Sequence, residues 1–216
     1  MIQAVIFDMD GLLVDSEPLW ARARIEAFGM DQLRWTETDQ QNIMGNSAQG
    51  WGEYLEKRLD YRYSVSEIIE LVVAQMEQFY FDAVPLLPGA REVIQLLRPH
   101  YRLGVASGSS QRLIRAVIQS ADWTDVFEKI VSSDEVAHGK PAPDTYLEAI
   151  RQMNVPGAQT AIFEDSANGI LSGLAAGVKV IAVPNAEYRP SADVLRKAHR
   201  VIPSLNDFSL DMLRNL

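Results

Sequence analysis

Four short clusters in this chain carry side chains that could do chemistry together. The first, Asp8-Met9-Asp10-Gly11, follows the apolar run Ala4-Val5-Ile6-Phe7 directly. Side chains of an extended chain repeat every second residue, so its two acids can face the same way. One member of such a pair can attack or bind a metal while the other moves a proton. Gly11 permits a sharp turn and a close approach to a ligand. Asp-x-Asp is also a common strand-ending turn, so its meaning depends on its company.

The second cluster is Ser107-Gly108-Ser109-Ser110, ahead of a helical pattern. Hydroxyls and free N–H groups at the start of a helix suit an anion, and they equally suit a plain N-cap by Ser109 or Ser110. The third is Lys140, set between Gly139 and Pro141. On that stiffened backbone an ammonium could hold a phosphate as a point charge, or it could be a solvated lysine in a Pro-rich turn. The fourth is Glu164-Asp165-Ser166. Its adjacent carboxylates are hard oxygen ligands of the kind Mg²⁺ prefers, and Asp165 or Ser166 could cap the next helix. Taken together, the four supply a nucleophile, an acid, a divalent-cation site and donors for phosphate oxygens.

Strand-like runs must position these clusters. They are Gln3 to Phe7, Arg102 to Ala106, Glu128 to Val131, Thr160 to Phe163, Val178 to Val183 and Arg200 to Ile202. Helical patterns cover Ala90 to Leu97, Gln111 to Ser120, Pro143 to Met153 and Ala167 to Ala176. Continuous apolar strands separated by helices predict a parallel sheet covered on both faces, which binds ligands at its carboxyl edge. About ninety residues separate the first strand from the second, far more than one crossover needs. That stretch is helical throughout, opening at Ser16-Glu17-Pro18 with a capping hydroxyl and an early proline. A small helical domain over 15–83 is expected, inserted into an α/β core made of 1–14 and 84–216.

Asp8-Met9-Asp10-Gly11, Ser107, Lys140 and Glu164-Asp165, in this order, resemble the four motifs of the haloacid dehalogenase superfamily. The likeness runs over essentially the whole chain. It is nearest to the β-phosphoglucomutase-like branch and its hexitol and sugar phosphatases, of the 2-deoxyglucose-6-phosphate phosphatase kind. Phe7 to Trp20 (FDMDGLLVDSEPLW) is the best local match. The resemblance implies a Rossmann-like α/β core with a helical cap, hydrolysing a small phosphorylated metabolite through an aspartyl-phosphate. Asp8 would be the nucleophile and Asp10 the acid and base. Ser107, Gly108 and Lys140 would bind phosphate, and Asp8, Asp10, Glu164 and Asp165 would form the Mg²⁺ site. In the cap, Gly45-Asn46-Ser47 reads as an inter-helix turn that resembles the specificity loop or simply ends a helix, and Trp20, Trp35 and Trp51 could line a sugar pocket or form the cap's own core.

Asp10 argues against hydrolytic dehalogenation, whose enzymes lack the second acid. Phosphosugar mutases of this branch carry a histidine where Trp20 stands and an arginine where Ala48 stands, so water is the expected acceptor. A phosphatase for phosphoglycolate, a nucleotide or a flavin mononucleotide is a further reading, and a non-catalytic binding protein the remotest. Net charge is -9, with no Lys/Arg run to engage nucleic acid. There is no cysteine, which excludes disulfides and thiolate chemistry. With the first Asp at position 8 and no long apolar segment, neither a signal peptide nor a membrane span is expected. A cytoplasmic monomer is expected.

Overall fold

The computed structural model describes residues 1–29, 36–43, 48–185 and 189–216. Its strands are β1 (Ala4–Phe7), β2 (Arg102–Ser107), β3 (Lys129–Ser132), β4 (Thr160–Glu164), β5 (Lys179–Ala182) and β6 (Arg200–Val201). They form one parallel sheet in the order β3-β2-β1-β4-β5-β6. This is a doubly wound order, in which the chain reverses direction across the sheet next to β1, and the cleft for a ligand opens there. β1 is the central strand, with Phe7 opposite both Val105 and Phe163.

Strand periodicity divides the core between two faces. Ala4 and Ile6 join a cluster with Tyr146, Ala149 and Met153, whereas Val5 and Phe7 join one with Val93, Leu113 and Ile114. The helices responsible are α5 (Ala90–Leu97), α6 (Gln111–Ser120), α7 (Asp144–Met153) and α8 (Ala167–Ala175). The short α9 (Ala192–Leu195) and α10 (Leu210–Arg214) complete the sheet side of the molecule. Every element expected from the sequence in this part is present, with ends shifted by one or two residues.

Between β1 and α5 lie α1 (Glu17–Phe28), α2 (Glu37–Ile43), α3 (Ala48–Arg58) and α4 (Val65–Asp82). α1 and α3 pack on α4, which buries Ile68, Val72, Val73 and Met76 at helical spacing. A capping box starts α4: Glu67 N donates to Ser64 Oγ and Ser64 N donates to Glu67 Oε2. α2 is tied to α3 through buried Asp39, which accepts from Tyr54 OH at 2.6 Å and Arg58 Nε at 2.7 Å. Burial opposes its ionisation, but these donors and Thr36 hold its carboxyl well below the usual range. α4 also reaches the sheet side, where Arg112 on α6 pairs with Glu70 at 2.6 Å and Glu77 at 2.5 Å.

The capping hydroxyl expected at Ser16 is not used. Ser16 has helical backbone angles (φ -89°, ψ -21°), so its side chain makes no cap bond, while the early proline is in place. The two segments that join this helical part to the sheet run side by side. Leu87 N donates to Leu13 O and Asp15 N to Pro85 O, each at 2.9 Å, and Val14 bridges Leu86 in antiparallel sense. One apolar cluster runs unbroken from Phe7 through Leu12 and Leu13 to Leu55 and Met76.

Candidate active site

Asp8 extends the β1 ladder by one bond, its N–H reaching Phe163 O at 3.1 Å. The chain then folds back sharply: Met9 O accepts from Leu13 N at 2.9 Å and from Val14 N at 3.1 Å. Gly11 takes φ +77°, a left-handed conformation that disfavours other residues. A Cβ there would also lie 2.3 Å from Asp165 Oδ2, so this turn abuts the end of β4.

Lys140 reaches into this cleft from the loop between β3 and α7. Its Nζ is 2.6 Å from Asp8 Oδ1 and 2.6 Å from Glu164 Oε1, with Ala106 O and Tyr146 OH at 3.0 Å. The ammonium also lies 4.6 Å from the centroid of the Tyr146 ring. Burial, countered by Lys140 and reinforced by Glu164 and Asp10, pushes the Asp8 carboxyl up to about 7. Burial and its acidic neighbours raise Asp165 well above the ordinary carboxylate range. Burial would lower Lys140, but Asp8 and Glu164 outweigh it and hold the ammonium well above its ordinary value. Lys140 is thus no solvated lysine of a Pro-rich turn.

Asp10 faces β2. Its Oδ2 accepts from Ser109 Oγ at 2.7 Å and from Ser107 Oγ at 3.1 Å, and its buried Oδ1 has no hydrogen-bond partner among the described residues. Ser107 Oγ in turn accepts from Ser109 N at 3.0 Å. The serine-rich turn is therefore divided in labour. Ser110 caps α6 by accepting from Leu113 N, and Ser109 turns towards Asp10. A Cβ added at Gly108 would meet nothing within 4 Å, so open space borders the backbone here.

Glu164 has no exposed surface. Oε1 accepts from Lys140 and from Tyr146 OH at 2.8 Å, and Oε2 accepts from Ser166 N at 3.2 Å and Ser166 Oγ at 3.1 Å. Ser166 also caps α8 through Gly169 N. Asp8, Glu164 and Asp165 each offer an oxygen within 4.8 Å of the others. Among the described residues, neither Asp165 Oδ1 nor Asp10 Oδ1, both buried, has a partner. Hard, anionic, under-coordinated oxygens of this kind fit a Mg²⁺ ion.

The sequence-derived residues Asp8, Asp10, Ser107, Gly108, Lys140, Glu164 and Asp165 thus converge at one edge of the sheet. Trp20 lies on α1, half-buried, with its ring 6.0 Å from that of buried Trp51 and Arg24 above it at 5.6 Å. Gly45-Asn46-Ser47 and Trp35 lie outside the described residues. Sequence reasoning missed Tyr146, whose place in α7 reads as core, and the specific bond from Ser109 to Asp10. The signal for Tyr146 was a polar tip on the buried face of the helix that follows Lys140.

A family model described as haloacid dehalogenase-like hydrolase matches residues 5–183. Hexitol phosphatase B of Escherichia coli (strain K12) is 33% identical over 198 residues, covering 86% of this chain and 85% of that protein. The phosphorylated carbohydrates phosphatase of Thermotoga maritima is 30% identical over 184 residues, covering 83% and 84%. Among solved structures, CbbY from Rhodobacter sphaeroides in complex with phosphate superposes with a TM-score of 0.84 at 25% identity, covering 96% of each chain. A variant of that protein in complex with xylulose-(1,5)bisphosphate superposes equally well, with a TM-score of 0.84.

Proposed function

The chain belongs to the haloacid dehalogenase-like hydrolases, and from that membership we propose that it is a Mg²⁺-dependent phosphatase of phosphorylated sugars, a hexose or hexitol phosphate foremost. The observation that carries the reading is the 2.6 Å pairing of Asp8 with Lys140 at the mouth of the sheet, with Asp10 held alongside by two serines.

Asp8 is the nucleophile. It attacks phosphorus in line and forms an aspartyl-phosphate. Asp10 protonates the departing alkoxide, then takes a proton from the water that cleaves the intermediate. Ser107 Oγ, Gly108 N–H and Lys140 Nζ hold the equatorial oxygens as their charge grows. Asp8, Asp165 and the Asp10 carbonyl, with Glu164 alongside, would hold Mg²⁺, which would supply the positive charge that offsets repulsion between nucleophile and substrate. Residues 15–83 would serve as a cap that excludes water from the site, with Trp20 on its first helix available to the sugar.

Water is the acceptor rather than a second sugar. Trp20 and Ala48 stand where the mutase resemblance calls for a histidine and an arginine, and the Trp20 ring packs on Trp51, where it moves no protons. The test is phosphate release from a panel of hexose, hexitol and pentose phosphates, with Mg²⁺ and with a chelator. Release from none of them in the presence of Mg²⁺ overturns the proposal.

A further inference from the structure

Glu164 is saturated by the protein itself. A carboxylate has about four lone-pair directions, and here each takes a donor: Lys140 and Tyr146 on Oε1, Ser166 N and Oγ on Oε2. Lys140 is over-subscribed, since its three N–H bonds are shared among Asp8, Glu164, Ala106 O and the Tyr146 hydroxyl. The phenol is the one neutral side chain in this set, and it is completely buried. It donates to Glu164 and accepts from Lys140, so it sits between the anion and the cation and satisfies part of each.

We propose that Tyr146 is a positioning residue that fixes where the Lys140 ammonium stands for the phosphoryl group. By filling the second lone pair of Glu164 Oε1, its hydroxyl keeps Lys140 from collapsing onto Glu164 alone. By accepting from Nζ, it holds the ammonium 2.6 Å from Asp8, within reach of an oxygen on a phosphorus attacked by that residue. Its ring face adds a second hold on the same cation. Without the hydroxyl, Oε1 has an open lone pair, the ammonium shifts towards Glu164, and the point charge at Asp8 weakens. Glu164 then serves as the anchor of Lys140, and Tyr146 sets how tightly the anchor pulls.

The inference rests on the phosphatase reading for its chemistry, and its test separates the two. Tyr146→Phe keeps the ring and the buried volume and removes only the hydroxyl. Calorimetric titration of the Mg²⁺-loaded protein with inorganic phosphate is expected to show about tenfold weaker binding than wild type, as the loss of a hydrogen bond to a charged group implies. KM for a turned-over sugar phosphate rises by a similar factor while kcat changes less. Wild-type phosphate affinity and KM in Tyr146→Phe overturn the positioning role. If the wild type binds phosphate but hydrolyses nothing, the phosphatase reading falls and the calorimetric comparison still decides the role of Tyr146. If the wild type neither binds phosphate nor turns over, both fall. Should Tyr146→Phe not fold, proton NMR of the wild type decides: a slowly exchanging Tyr146 hydroxyl with a cross-peak to the Lys140 ammonium is expected, and its absence overturns the proposal.

Discussion

Gly169 leaves room for Glu164: a Cβ at that glycine would sit 1.7 Å from Glu164 Oε1. The first turn of α8 is thus cut to the shape of the buried carboxylate that ends β4. Gly169→Ala is expected to displace Glu164 and with it Lys140. Overpacking of this kind costs about 1–3 kcal/mol or more. Urea denaturation and phosphate release measured side by side check this, and loss of both is the expected outcome.

Asp8→Asn keeps the shape of the nucleophile and removes its attack. Turnover is expected to fall by at least about a thousandfold, the scale on which loss of an acting catalytic group is felt. Far-ultraviolet circular dichroism is expected to be unchanged. Retained turnover with any sugar phosphate means that another group attacks phosphorus.

Asp10→Asn is a different experiment, because Asn can still accept from Ser107 and Ser109 but cannot shuttle a proton. A kcat loss of about 10²–10⁴ is expected, the usual worth of general acid–base catalysis. The loss shrinks for substrates with better leaving groups, since they need less protonation. An aryl phosphate compared with a hexose phosphate measures this difference.

Lys140 neutralises two buried carboxylates at once. Removing one partner of a buried ion pair costs about 3–5 kcal/mol. Because the folded ammonium titrates above its ordinary value, its contribution is present at all pH values below that range and is lost only in strong alkali. Lys140→Ala therefore destabilises the protein at both pH 8 and pH 5. The loss is larger at pH 8, because Asp8, raised by burial, can take up a proton at the lower pH. Thermal melts at the two pH values give the comparison.

Asp8 ionises near 7 in the folded chain against 3.8 for the free side chain. Its folded pKa is raised, so its contribution to stability is greatest below pH 3.8, falls as pH rises towards 7 and is flat above. A cation that favours the ionised form reverses this trend. Mg²⁺ binding is thus expected to release a proton from Asp8 below pH 7, with affinity falling up to about tenfold per pH unit and per proton on acidification. Calorimetry of chelator-treated protein in buffers of different ionisation enthalpy reads the proton count. Binding at pH 6 without proton release contradicts the assignment of Asp8 as a ligand.

Most of the sheet was legible because buried parallel strands carry continuous apolar runs, as Ala4–Phe7 is throughout and as β4 and β5 hold at 161–163 and 180–182. The acids of the site were legible because they close or directly follow β1 and β4, and Lys140, farther beyond β3, became legible only in their company. Two features were not. Ser109 and Ser110 are the same residue type, and only the turn of the chain decides which one caps α6 and which one reaches Asp10. Tyr146 sits on the inward stripe of α7, where a tyrosine is ordinary packing until its hydroxyl is seen against Glu164. Ser16 erred the other way, because a cap needs an extended backbone at that residue and the sequence does not state the angle.

The paired segments at Leu13–Leu87 and Asp15–Pro85 have a consequence for how this architecture can vary. The helical excursion departs and returns through a single doorway stitched by main-chain bonds, so its ends stay together whatever length or sequence lies between them. Since closure entropy grows only slowly with loop length, changes of length within this excursion cost little, provided the residues that share the apolar cluster with Phe7 and the pairs of Glu70 and Glu77 with Arg112 are kept. Within those contacts, the surface proposed to select the alcohol can then change while the proposed phosphate machinery at the sheet edge is kept.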